Sequence, residues 1–122
     1  MITITDIEQL ILPQPHKDAI THMLIKLQEY PVVKNIILFG SCARQCPSLQ
    51  SDIDLALITA EEITPEDEWD IDSSIRNWDI KLPCDIIFLP EYALKQIPKG
   101  DTIIRPILQE GVQLDGLLHK RL

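Results

Sequence analysis

The stretch FGSCARQCPSLQSDIDLAL, residues 39–57, sets a Gly-Ser pair, Gly40 and Ser41, ahead of two aspartates one residue apart, Asp52 and Asp54. On a strand, residues two apart point the same way, so the two carboxylates share one side while Ile53 and Leu55 anchor the other. Carboxylates in an apolar strand are costly unless they are paired, bind a metal or line a cleft. Magnesium suits them, because it takes oxygen ligands and fills its other positions with water and phosphate oxygens. Asp85 opens a second apolar run, CDIIFL, and falls on the same face if the two strands are neighbours. Three such acids can hold two magnesium ions and orient a hydroxyl for in-line displacement at phosphorus. Gly40 lets a ligand approach the backbone closely, and a short helical turn after it points free N–H groups toward phosphate oxygens. Arg44 lies one turn on and can add positive charge.

Taken singly, a Gly-Ser turn or an Asp-x-Asp pair is commonplace. The combination of strand, Gly-Ser, short turn, Asp-x-Asp strand and later Asp strand is far more specific. The competing account of the three acids is a structural salt-bridge cluster. It fails because few basic residues stand near enough to neutralise them.

These residues need a scaffold, and the hydrophobic periodicity supplies one. Ile20, Met23, Leu24, Leu27 and Tyr30 recur at helical spacing over residues 16–30, and Pro31 ends the run. VVKNIILF and SDIDLALIT read as buried strands. Thr64 is a helix N-cap with Pro65 at the first helical position and acids in the first turn, and Ile71, Ile75, Trp78 and Leu82 mark its buried face. CDIIFL is a third strand and EYALKQI a short helix. DTIIRPILQEGVQL holds a last helix, disturbed at Pro106 and closed by Gly111, before the extended VQL. The N-terminal IEQLILP is an apolar patch ending in prolines. This order predicts a mixed α/β (α+β) domain, a short mixed sheet with helices packed on one face. The 122 residues suit a single domain, 1–122.

The formal net charge of −8 argues against broad binding to a nucleic-acid backbone, although not against one nucleotide carrying its own magnesium. An acidic surface also suits a basic protein partner. Cys42, Cys46 and Cys84 read as small buried thiols, since neither a disulfide framework nor a zinc spacing is present. No apolar run is long enough to cross a bilayer, and the N-terminus lacks the features of a signal peptide, so a cytoplasmic location is expected. The acidic run from Glu61 to Asp72 reads as a solvated helix face, with Trp69 off the buried stripe and available to an interface. His16, His22 and His119 share no chemical spacing and are expected at surfaces or helix ends. Lys34 and Lys81 are basic residues that the sequence does not place.

The order GSCARQCPSLQSDIDL followed by CDIIFL resembles the nucleotidyltransferase superfamily related to DNA polymerase β. The small size resembles its minimal nucleotidyltransferases, the MNT antitoxins of HEPN–MNT toxin–antitoxin modules. The resemblance runs from the helix near His16 to ILQEGVQL. It implies that Gly40 and Ser41 are the phosphate-binding pair, that Asp52 and Asp54 are paired metal ligands, and that Asp85 is the third acid. Arg44 matches an arginine often found in the turn. Gln45 stands where glycine is common, a departure that removes no metal ligand. The resemblance further implies Mg2+, as two ions, with ATP as donor and a HEPN ribonuclease as partner, AMP passing to a tyrosine hydroxyl of that partner and blocking its RNA cleavage. A chain this short is expected to borrow its acceptor from a bound protein. The alternatives are an antitoxin that only occludes its partner, and transfer to a small molecule, for which no acceptor pocket is evident.

Overall fold

The computed structural model describes residues 2–44, 51–76 and 82–114. The expectations for Gln45, Cys46, Trp78, Lys81 and His119 fall outside them. Helix α1 spans Gln14–Leu27, starting two residues earlier than the periodicity suggests because Pro13 and Pro15 preset its first turn. It buries His16, Ala19, Ile20, Met23, Leu24 and Leu27 at three- and four-residue spacing. Tyr30 lies in the turn beyond it, partly buried against the core.

Strand β2 (Val33–Phe39) pairs antiparallel with β3 (Ile53–Thr59), and Phe39 stands opposite Asp54. Between them the chain makes one helical turn, α2 (Gly40–Ala43). From β3 it crosses through α3 (Pro65–Ile75) to β4 (Cys84–Pro90), which runs parallel to β3. A parallel neighbour needs such a crossover. The α3 start follows its sequence: Thr64 accepts a hydrogen bond from the Asp67 amide at 3.1 Å, Pro65 opens the helix, and Glu66, Asp67 and Glu68 occupy its first turn.

Residues Glu91–Leu94 form a 3-10 turn, and α4 (Ile104–Glu110) leads directly into β5 (Val112–Gln113). Gly111 caps α4 as expected, and does so with extended backbone (φ −69°, ψ 154°) rather than a left-handed torsion. The reason is immediate: Val112 must already lie in the sheet opposite Leu38. A short strand the periodicity misses, β1 (Ile2–Thr3), pairs parallel with β5 and completes a five-stranded sheet of order β1-β5-β2-β3-β4.

The sheet sorts the apolar runs by face. Ile53, Leu55 and Leu57 of β3 join Ile36 and Leu38 of β2 in the main core beneath α1 and α3. Ala56 and Ile58 turn to the opposite face and meet Ile37 and Ile107 in a smaller cluster. Thus α1 and α3 cover one face as expected, and α4 adds partial cover to the other. Among the described residues no helix is long and apolar enough to cross a membrane.

Leu57 is fully buried in the main core. Leu57→Ala is expected to destabilise the fold by about 2–5 kcal/mol. Thr64→Ala removes only a cap and should cost about 1 kcal/mol. Urea unfolding of both variants measures the difference.

Candidate active site

Asp54 is the one charged residue in β3, whose other positions are apolar except Thr59 at its end. Its neighbours fix its direction. Ile53 and Leu55 are driven into the main core, so Asp54 must face the other way. The β3–β4 register sets Asp54 directly beside Asp85, while Cys84 and Ile86 pack on the main-core side. The two acids that the sequence joins only conditionally are therefore lateral neighbours on one face. The expected strand start at Ser51 shifts to Ile53, which leaves the exposed Asp52 just ahead of the ladder.

Gly40 closes the third side. It has φ +73°, in the left-handed region that favours glycine. A Cβ there would overlap Asp54 Oδ2 and lie 3.1 Å from Asp54 Cγ. Glycine is thus required twice, for its torsion and for the space that the carboxylate occupies. Ser41 follows on α2, partly exposed, and the first amides of that turn have no partner within the helix.

Among the described residues the site is short of positive charge. Partial burial raises the Asp54 carboxyl above the ordinary range, and the Asp85 and Asp52 carboxylates and a hydrogen bond with Asp85 raise it further. Arg44 opposes this only weakly. Its Nη1 is 3.0 Å from Glu110 Oε2, in an ion pair about half exposed that ties the end of α2 to the end of α4. Lys34 lies near the start of β2, the end of the sheet opposite Asp54. Burial, then Asp54 and Asp52, push the Cys42 thiol up to about 11, and burial chiefly pushes Cys84 to about 12. Both stay protonated thiols, as expected of small buried cysteines.

Sequence reasoning misses His16. It stands at a helix end as expected, in the first turn of α1, but is fully buried, with Nε2 2.8 Å from the Ser51 carbonyl. A carbonyl only accepts, so Nε2 carries the proton. Nδ1 is buried without a hydrogen-bond partner among the described residues. The signal was present: His16 lies four residues before Ile20, on the same stripe.

The donor set fits a divalent cation. Its oxygens are hard, two of its carboxylates repel each other, and Arg44 is paired with Glu110. Among the described residues no group of three or more His, Cys, Asp or Glu side chains closes on one point. Asp54 and Asp85 are therefore the converged pair, with Asp52 the flanking acid.

Residues 23–114 match the Polymerase beta, Nucleotidyltransferase family. The chain belongs to that family. Its fold is similar to that of a toxin–antitoxin crystallised with AMP-PNP, at 21% identity and TM-score 0.55 over 80% of this chain and 77% of that one. The toxin–antitoxin MntA–HepT is similar at 19% identity and TM-score 0.50, over 81% and 78%. No curated protein matches the chain significantly. These likenesses place this nucleotidyltransferase domain among polymerase β-like folds, in accord with the resemblance carried by Gly40 to Asp54.

Two predictions follow from the geometry. A carboxyl whose folded pKa is raised binds its proton more tightly in the folded state. Folding stability from this source is greatest below the unfolded value, about 4, and is lost as pH rises through the folded value. Asp54→Asn removes the loss, so its melting temperature at pH 7 without divalent cations should equal or exceed that of the unaltered protein. Magnesium should then raise the melting point of the unaltered protein but not of the variant. Gly40→Ala should cost at least about 1–2 kcal/mol in unfolding experiments from the left-handed torsion alone, with the carboxylate overlap adding to it.

Proposed function

We propose that this nucleotidyltransferase is an antitoxin that transfers AMP from ATP to a tyrosine hydroxyl of a HEPN ribonuclease partner. The observation that carries the reading is the Asp54–Asp85 carboxyl pair, held side by side across β3 and β4 against a glycine that leaves it room. Family membership supports nucleotidyl transfer, and the similar fold of a toxin–antitoxin crystallised with AMP-PNP supports the nucleotide and the setting.

In this reading Asp52, Asp54 and Asp85 hold Mg2+, which when bound neutralises the phosphates and the pyrophosphate leaving group. Gly40 and Ser41 receive the phosphate oxygens at the start of α2, where unpartnered amides favour anions. Arg44, at the end of the same turn, exchanges Glu110 for a phosphate oxygen. The acceptor hydroxyl attacks the α-phosphorus in line. Its oxygen forms the new P–O bond, the bond to the β-phosphate breaks, and pyrophosphate leaves with the electron pair. Asp85, the more exposed of the paired acids, orients the hydroxyl and takes its proton. The modified tyrosine then blocks RNA cleavage by the partner.

Intact-mass spectrometry of a HEPN ribonuclease partner, after incubation with this protein, ATP and Mg2+, tests the reading. The expected result is an increase of one or more AMP groups, abolished by Asp52→Asn with Asp54→Asn. Toxin neutralisation that survives the double substitution undiminished, with no mass increase from the unaltered protein, would replace enzymatic transfer by occlusion.

A further inference from the structure

Asp52 stands just ahead of the β-ladder that orients Asp54 and Asp85, so strand pairing holds only its C-terminal side. Among the described residues, these contacts flank its backbone. His16 Nε2 is 2.8 Å from the Ser51 carbonyl, Cys42 Sγ donates to the Asp52 carbonyl at 3.3 Å, and the Ile53 amide donates to the Pro83 carbonyl at 2.9 Å. The last is a backbone contact available to any residue, and the thiol is a weak donor. The imidazole is the strong side-chain donor of the set. It comes from α1, an element that packs on the face of the sheet opposite the carboxylates.

Packing does not account for a histidine at this position. Its ring is fully buried and leaves Nδ1 with no hydrogen-bond partner among the described residues. An aliphatic side chain would fill similar space on the same helical stripe without an orphaned polar atom. What the aliphatic residue cannot do is donate to Ser51.

We propose that His16 is a positioning residue, whose Nε2–H holds the Ser51 carbonyl and so sets where Asp52 stands relative to Asp54 and Asp85. The proposal rests on reading those carboxylates as the cation site of a nucleotidyltransferase. Groups that orient ligands without touching a metal typically change its affinity by about 10–100-fold when removed.

The test compares the unaltered protein with His16→Leu and His16→Gln. Leucine removes the donor and the orphaned nitrogen together, whereas the glutamine amide extends about as far as Nε2 and restores an N–H. Mn2+ binding in the presence of AMP-PNP, followed by electron paramagnetic resonance, gives a readout that needs no turnover. Melting curves report folding separately. His16→Leu should melt at or above the unaltered temperature yet bind Mn2+ about tenfold more weakly, and His16→Gln should recover most of the affinity. Equal Mn2+ affinity in a folded His16→Leu protein overturns the role of His16. If the leucine variant does not fold, a folded His16→Gln protein with affinity lost tenfold overturns it equally. No Mn2+ binding by the unaltered protein would instead defeat the reading of the carboxylates, and this proposal with it.

Discussion

Two carboxylates of like charge, Asp54 and Asp85, stand side by side on a parallel ladder, and the surrounding structure keeps them there. The force behind the arrangement is the burial of Ile53, Leu55, Cys84 and Ile86 on the opposite face, which leaves the acids one direction to point. Strand pairing then fixes their lateral approach. Gly40 supplies the remaining condition, because any side chain at that position would displace Asp54. Hydrophobic burial, a nondirectional force, is converted by the two-residue period of the strand into a directed electrostatic feature.

Left alone, that feature opposes folding. The carboxyl of Asp54 is partly desolvated and faced by two other acids, while the Arg44 guanidinium is bound to Glu110. A continuous core on the main face offsets this cost. The same imbalance is useful to a site that takes up a cation, since the attraction is already in place before the cation arrives, and a bound cation would then draw in anionic phosphates. A fully neutralised salt-bridge cluster would hold the fold better and attract less.

Much of this was legible in the sequence because periodicity and burial are local signals. IDLALIT reads as a buried strand interrupted by one acid, and CDIIFL repeats the pattern, so the neighbourhood of Asp54 and Asp85 followed once the strands were adjacent. Thr64 and Pro65 announced α3 through local hydrogen-bonding chemistry. What escaped was set by partners distant in sequence. β1 is two residues long and exists because β5 offers it an edge. Gly111 is extended because Val112 is claimed by β2. His16 is the helix-end histidine it looked like, but its buried partner, Ser51, lies 35 residues away. The ion pair between Arg44 and Glu110 was equally hidden, because the approach of Glu110 depends on how α4 packs against the sheet.

The measurement closest to the central claim is a carboxyl-detected NMR titration of Asp54, with and without Mg2+ and AMP-PNP. If Asp54 and Asp85 form a site built to receive a cation, the Asp54 carboxyl should titrate above the ordinary aspartate range in the free protein. It should fall below that range when the cation and nucleotide are added. An ordinary titration, unmoved by either addition, would contradict the account.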